Sequence, residues 1–523
     1  MHSNRPSIAA IRGTVLAGAT AALLAALGQP AAAQANFDRA TSVIFANGGA
    51  LTTLDPLRTD YAQTSFAVNA AYDTLVTYDK SAKVVGRLAE SFEVADDVMS
   101  IAIKLRPGVA FQDGAPLTAD DVAYTLDRLK RIGIGIAGQI SEYDSTVVTD
   151  PHTLTIKLKQ PSSIFLGALS KIYILNSKLV GANAGSDDGQ TWLQSHVAGS
   201  GPYSVSIQQS GNTFLQLKPN YWDKAEGRPQ TIVLRRIDEG ATQRDEIRAG
   251  NVDLAILGMG YRDAADLEAS GVAKDARLKP ALQTNVVFNT RTGPTADPRV
   301  RRAVRMAYDY EGGLKNIRLG NGTVANGPLP STLPCRPDLP QSVRDVEGAK
   351  KLLAEAGVKD LHLTLRFQST IEVQRLEATL LQSNLADIGV TLDLQPITFA
   401  NYLQTLASVD TIPQMMLLDD FAQFPDPGAM LFKTFKSNAV GTNRSGYSNA
   451  EVDKLLDQAV QTKDDAARCE LYKKAQTIID GDSAYLSMYT VGRPGPYRAE
   501  QLAPLEANLV VFPVAPSEFR LAK

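Results

Sequence analysis

Asp419, Asp420 and Asp426 crowd into one short stretch beside Phe421 and Phe424. Clustered carboxylates can run acid–base hydrolysis when two of them hold different protonation states, or they can hold a ligand's ammonium. A structural role competes with both, because Asp426 precedes Pro427 and Asp-Pro favours turn initiation. The turn is the better reading for Asp426, while both readings stay open for Asp419 and Asp420. Of the four histidines, His2 sits in the N-terminal leader, and His152, His196 and His362 are scattered with no metal-ligand spacing. They read as surface or structural residues. GIGIAG at 133–138 matches GxGxxG, but it follows a helical stretch instead of a strand, so it reads as a loop and not as a dinucleotide cradle. Gly199-Ser200-Gly201 is too short for a nucleophile elbow, and no P-loop is present.

The elements that must position these residues alternate between strand and helix. Residues 100–106 place Ile101, Ile103 and Leu105 on one face, and 153–159 do the same with Leu154, Ile156 and Leu158. Residues 231–237 and 390–395 are further strands. Thr118 with Asp121 makes a capping box, followed by Val122, Leu126 and Leu129 at helical spacing. Asp297-Pro298 opens a second helix striped by Val300, Val304 and Ala307. Residues 346–356 and 375–388 are helices closed by Gly357 and Gly389, each followed by a strand, which is how α/β units are built. Breaks rich in Gly and Pro fall at 198–202, 320–337 and 424–428. Several strand-to-strand connections predict two lobes instead of one sheet.

Composition narrows the classes. The chain has 523 residues, 44% hydrophobic and 21% charged, with 53 basic against 56 acidic side chains for a net charge of −3. That is ordinary for a globular protein and excludes a basic field for nucleic acid. Residues 1–35 read as a cleaved signal peptide: Arg5 and Arg12, an apolar run at 15–27, then Ala33-Gln34-Ala35. Later runs are too short to span a bilayer, so no membrane insertion of the mature chain is expected. In the oxidising compartment this implies, Cys335 and Cys469 invite a bridge, with two separate buried thiols as the alternative.

Ordered motifs then add a resemblance. AYDTL at 71–75, RLAESF at 87–92, LRPGVAFQDGAPLTADDV at 105–122, GSGPY at 199–203, NYW at 220–222, GNVD at 250–253, FNT at 288–290, DPRVRRA at 297–303, PDP at 425–427 and YSN at 447–449 run in order over nearly the whole chain. Together they resemble family 5 extracellular solute-binding proteins of ABC importers. The resemblance implies an α/β, two-lobed periplasmic-binding-protein clamp of type II with an extra small domain. It divides the mature chain into lobe I (36–75, 198–283 and 486–523), the extra domain (76–197) and lobe II (284–485). It implies a periplasmic monomer that captures a peptide or peptide-like solute by lobe closure and delivers it to an ABC permease and ATPase complex, with no cofactor and no catalysis. Opines, oligosaccharides and metal chelates are alternative solutes, and a secreted hydrolase using the Asp pair is the rival function.

One departure bears on the ligand. Peptide-binding members carry W-x-x-D-x-x-D-P, whose first Asp holds the peptide ammonium. Aligned on Asp426-Pro427, that position is Gln423 and the Trp position is Asp420. A neutral amide cannot pair with an ammonium as a charge, unless Asp419 or Asp420 takes the role. The expected ligand contacts are Thr52 and Tyr61 from the first lobe, and Asp420, Phe421, Gln423 and Phe424 from the second, with Arg366 for a ligand acid.

Overall fold

Strand Ser42–Asn47 is apolar on both faces, as a strand covered from both sides must be. It is central in a seven-stranded sheet, parallel to Thr231–Arg236 on one side and Leu254–Ala255 on the other. In this computed structural model the described residues are 37–49, 51–58, 62–208, 211–405, 411–439, 442–508, 510–511 and 513–523. Residues 1–35, the expected leader, and Tyr61 lie outside them.

A second, four-stranded sheet is antiparallel and runs Ala89–Val94, Ser100–Leu105, Thr153–Leu158, Tyr143–Asp150 in space. Ser100–Leu105 alternates buried and exposed residues, the pattern of a sheet with one wet face. Helix Ala119–Ile132 covers its other face. The Asp121 carboxylate accepts the Thr118 N–H at 2.8 Å, completing the predicted capping box. Gly133, at φ 64°, ends the helix, so the GxGxxG match begins at a helix C-terminus.

The third sheet has six strands, ordered Gly322–Val324, Tyr485–Val491, Leu282–Phe288, Met415–Phe421, His362–Gln368, Thr391–Ile397. Here the two "helix, Gly, strand" units appear: helix Val346–Glu355 leads into His362–Gln368, and helix Glu372–Ala386 into the parallel Thr391–Ile397. Both helices bury their apolar stripes on this sheet through Ala349, Leu353, Ala378, Leu381 and Leu385. Helix Asp465–Gly481 packs nearby, and its Cys469 is bonded to Cys335.

The chain crosses between the seven- and six-stranded sheets twice, around 276–281 and 492–495. These crossings run side by side: Arg493 N–H donates to Leu278 O at 2.7 Å, and Ala276 N–H to Gly495 O at 3.1 Å. Strands Leu282–Phe288 and Tyr485–Val491 both belong wholly to the six-stranded sheet, so the crossings lie just outside the expected edges at 283 and 486. Helix Ala62–Ala71 serves two cores, placing Phe66, Ala67 and Ala70 under the first sheet and Val68 and Ala71 in the core of the four-stranded unit.

Candidate functional site

Strand period two decides the fate of the aspartate pair. Successive side chains point to opposite faces, so Asp419 and Asp420 part company at the end of Met415–Phe421. Asp419 takes a hydrogen bond from Thr284 and an ion pair from Arg493 at 3.2 Å. Asp420, on the other face, is buried and pairs with Lys433 at 2.9 Å. Burial alone would raise the Asp420 pKa, but Lys433 and then Arg444 outweigh it and hold the carboxyl below its usual range. Two acids on opposite faces, each already paired, do not make a hydrolytic couple.

Asp426 caps helix Pro427–Phe435, accepting the Gly428 N–H at 2.7 Å with Pro427 at the first helical position. This is the turn reading of the sequence. Burial raises its pKa, against the pull of Arg468. The cap aims the helix so that Lys433 returns to Asp420 and donates to Phe421 O at 3.0 Å.

Between this helix and the four-stranded unit lies a cleft of about 930 Å³. One wall carries Gln423, Phe424, Lys433, Lys436 and Arg444; the other carries Gln139, Glu142, Gln160 and Phe165. Phe424, which lines the cleft, stacks on Tyr78 with ring centroids 6.3 Å apart at 19°. Gly167 permits that approach, since a Cβ there would stand 2.2 Å from the Tyr78 hydroxyl and 3.1 Å from the Phe424 ring. Ser163 N–H bonds Val460 O across the walls at 2.7 Å.

Of the expected ligand contacts, the structure brings Gln423 and Phe424 to this cleft. Thr52 lines a separate hollow of about 390 Å³ with Thr53, Arg58 and Gln190. Asp420 lies behind the cleft wall, committed to Lys433. Phe421 packs against the six-stranded sheet's core with Lys433 over its ring at 5.5 Å. Arg366 reaches Gln395 and Thr405, both at 3.3 Å, and does not line the cleft. The sequence reading missed Lys433, Arg444, Gln139 and Glu142. Lys433 had a signal in its position on the helix opened by Asp426-Pro427; the other three had none.

Among the described residues no group of three or more His, Cys, Asp or Glu side chains could hold a metal, and no helix is long and apolar enough to cross a membrane. His196 stacks on Trp192, ring centroids 4.6 Å apart.

Comparison with known proteins gives consistent relatives. The "Probable D,D-dipeptide-binding periplasmic protein DdpA" of Escherichia coli K12 is 28% identical over 453 residues, covering 84% of this chain and 86% of the relative. The glutathione-binding protein GsiB of Salmonella typhimurium LT2 is 28% identical over 481 residues, covering 86% and 89%. Among solved structures, NikA of Brucella suis in complex with Fe(III)-EDTA superposes with a TM-score of 0.83 at 21% identity, covering 92% of this chain and 99% of that one. DppA of Helicobacter pylori in complex with the peptide STSA does so at 0.79 and 22%, covering 92% and 98%. These likenesses show the two-lobed periplasmic-binding-protein fold. The profile described as "Bacterial extracellular solute-binding proteins, family 5 Middle" matches residues 83–442, and the chain belongs to the family 5 bacterial extracellular solute-binding proteins.

Proposed function

We propose that this protein is exported to the periplasm on the leader at 1–35, captures a small polar peptide-like solute in the cleft behind Gln423, and hands it unchanged to an ABC permease and ATPase complex. The seven- and six-stranded sheets act as the two lobes, and the paired strands of chain at 276–281 and 492–495 act as the flexing joint. The observation that carries this is the cleft itself: about 930 Å³, an aromatic lining at Phe165 and Phe424, and polar side chains from both walls. A buried ligand polar group left without a partner costs about 1–3 kcal/mol, and amide and cationic side chains at these positions meet that need. The relatives' names, a D,D-dipeptide and glutathione binder, agree in ligand size and polarity.

A thermal-shift screen of the purified protein tests it, using dipeptides, oligopeptides, glutathione, opines and oligosaccharides. A true ligand at 100 times its Kd stabilises by about 2.7 kcal/mol. Silence across the peptide-like compounds, or chemical turnover of a bound one, would sink the proposal.

A further inference from the structure

Gln423 and Arg444 are both unfinished. The Gln423 Oε1 and the Arg444 Nε are buried with no hydrogen-bond partner, although both residues line the same cleft. Each is held in place by its surroundings. Gln423 is fixed between strand Met415–Phe421 and the helix capped by Asp426. Arg444 rides a loop clamped by the Asn443 side chain, which donates to Lys436 O at 3.2 Å and Tyr447 O at 2.7 Å. The next carbonyl, Ser445 O, takes the Thr290 N–H at 2.9 Å. A guanidinium held ready in this way loses little freedom when an anion arrives.

Charge at this end of the cleft points the same way. Lys436 is paired with Asp457, but the Asp420 carboxylate serves both Lys433 and Arg444. On the wall that carries Gln423 this leaves one cation in excess, with Glu142 standing on the facing wall. An ammonium finds no charge partner at Gln423 and meets repulsion from Arg444, while a carboxylate finds a fork of donors.

We infer that the cleft selects an acidic solute, its carboxylate on Arg444 and a neutral N–H or O–H on the Gln423 carbonyl oxygen, so that the ligand is recognised through an acid group and not through a free amino terminus. This rests on the proposed function and narrows it: the peptide-like solutes favoured are those with a free carboxylate and an acylated or otherwise uncharged nitrogen.

The test is calorimetric titration of the wild-type protein with L-alanyl-L-leucine and D-alanyl-D-alanine, each in four forms: free, N-acetylated, C-amidated and blocked at both ends. The N-acetylated acids should bind at least as tightly as the free dipeptides, and amidation should weaken binding about 10- to 100-fold, the worth of a charge-assisted hydrogen bond. Arg444→Gln should bring acid and amide within threefold of each other. Gln423→Asp, which leaves Arg444 in place, should reverse the preference toward free amino termini, and it carries the test alone if Arg444→Gln does not fold. Equal binding of acid and amide by the wild type, or an unchanged ratio in Arg444→Gln, overturns this inference while leaving solute capture intact. No binding of any form overturns the peptide-like reading and this inference with it.

Discussion

Replacing Asp55 by alanine strands a fully buried guanidinium. Asp55 and Arg128 are both 0% exposed, and the pair is bidentate at 2.6 and 3.2 Å. Arg128 also donates to Asp188 O at 2.7 Å, and Asp55 accepts the Leu57 N–H at 3.1 Å. The pair thus staples helix Ala119–Ile132 to the segment at 53–58, and that segment positions one wall of the cleft, because Leu57 O accepts the Ile136 N–H at 3.1 Å just before Gln139. Breaking a buried pair by removing one partner costs about 3–5 kcal/mol, chiefly the penalty of the charge left behind. For a chain of this size unfolding entropy is about 1 kcal/mol per degree, so Asp55→Ala should lower Tm by about 3–5 °C. Asp55→Ala with Arg128→Met removes both charges and should recover more than half of that loss, since a buried pair is worth far less than its broken half. Urea unfolding and calorimetry of the wild type, both single variants and the double variant close the cycle. A loss under 1 kcal/mol for Asp55→Ala, or a double variant no more stable than the single, would refute the reasoning.

Two further outcomes are expected. Joining Cys335 to Cys469 closes a loop across a sequence separation of 134, worth up to about 5 kcal/mol in the chain-entropy account; urea unfolding of Cys335→Ala/Cys469→Ala should show a loss of several kcal/mol, and a loss under 1 kcal/mol would count against it. Asp420 has a folded pKa below its unfolded one, so its contribution is full above about pH 4 and disappears as pH falls through the folded value. Asp420→Asn should therefore cost about 2 kcal/mol at pH 7 and progressively less as pH falls through the folded value, measured by urea unfolding at pH 7 and at a series of acid pH values; a gap that does not shrink in acid would show that Lys433 and Arg444 do not hold the carboxylate.

Local order was readable where one rule governed one segment. Thr118 and Asp121 sit three apart and cap a helix because a capping box needs nothing else. Gly357 and Gly389 end helices at φ 70° and 77° for the same reason. Gln423 and Phe424 were readable because they precede Pro425-Asp426-Pro427, whose turn is itself local. Arg444 and Gln139 were not, because no periodicity connects them; only the packing of the four-stranded unit against helix Pro427–Phe435 makes them neighbours of one cleft. Thr52 follows strand Ser42–Asn47, and the turn of the chain at 53–58 toward Arg128 sets it in a separate hollow with Thr53, Arg58 and Gln190.

Adjacency in sequence left both readings open at Asp419 and Asp420, and the geometry of the strand has consequences for chemistry. Neighbouring acids suggest a shared site, whereas a strand sends them to opposite faces and gives each its own cation. An acid–base couple is lost by that arrangement, and so is a spare carboxylate for a ligand ammonium. What remains facing the cleft is the other half of the charge balance: Arg444, sharing Asp420 with Lys433, beside an amide where an acid would hold an amino terminus. The neutral residue at 423 therefore leaves the charge on this wall to Lys433, Lys436 and Arg444, which is the feature the acid, amide and N-acetyl series reads directly.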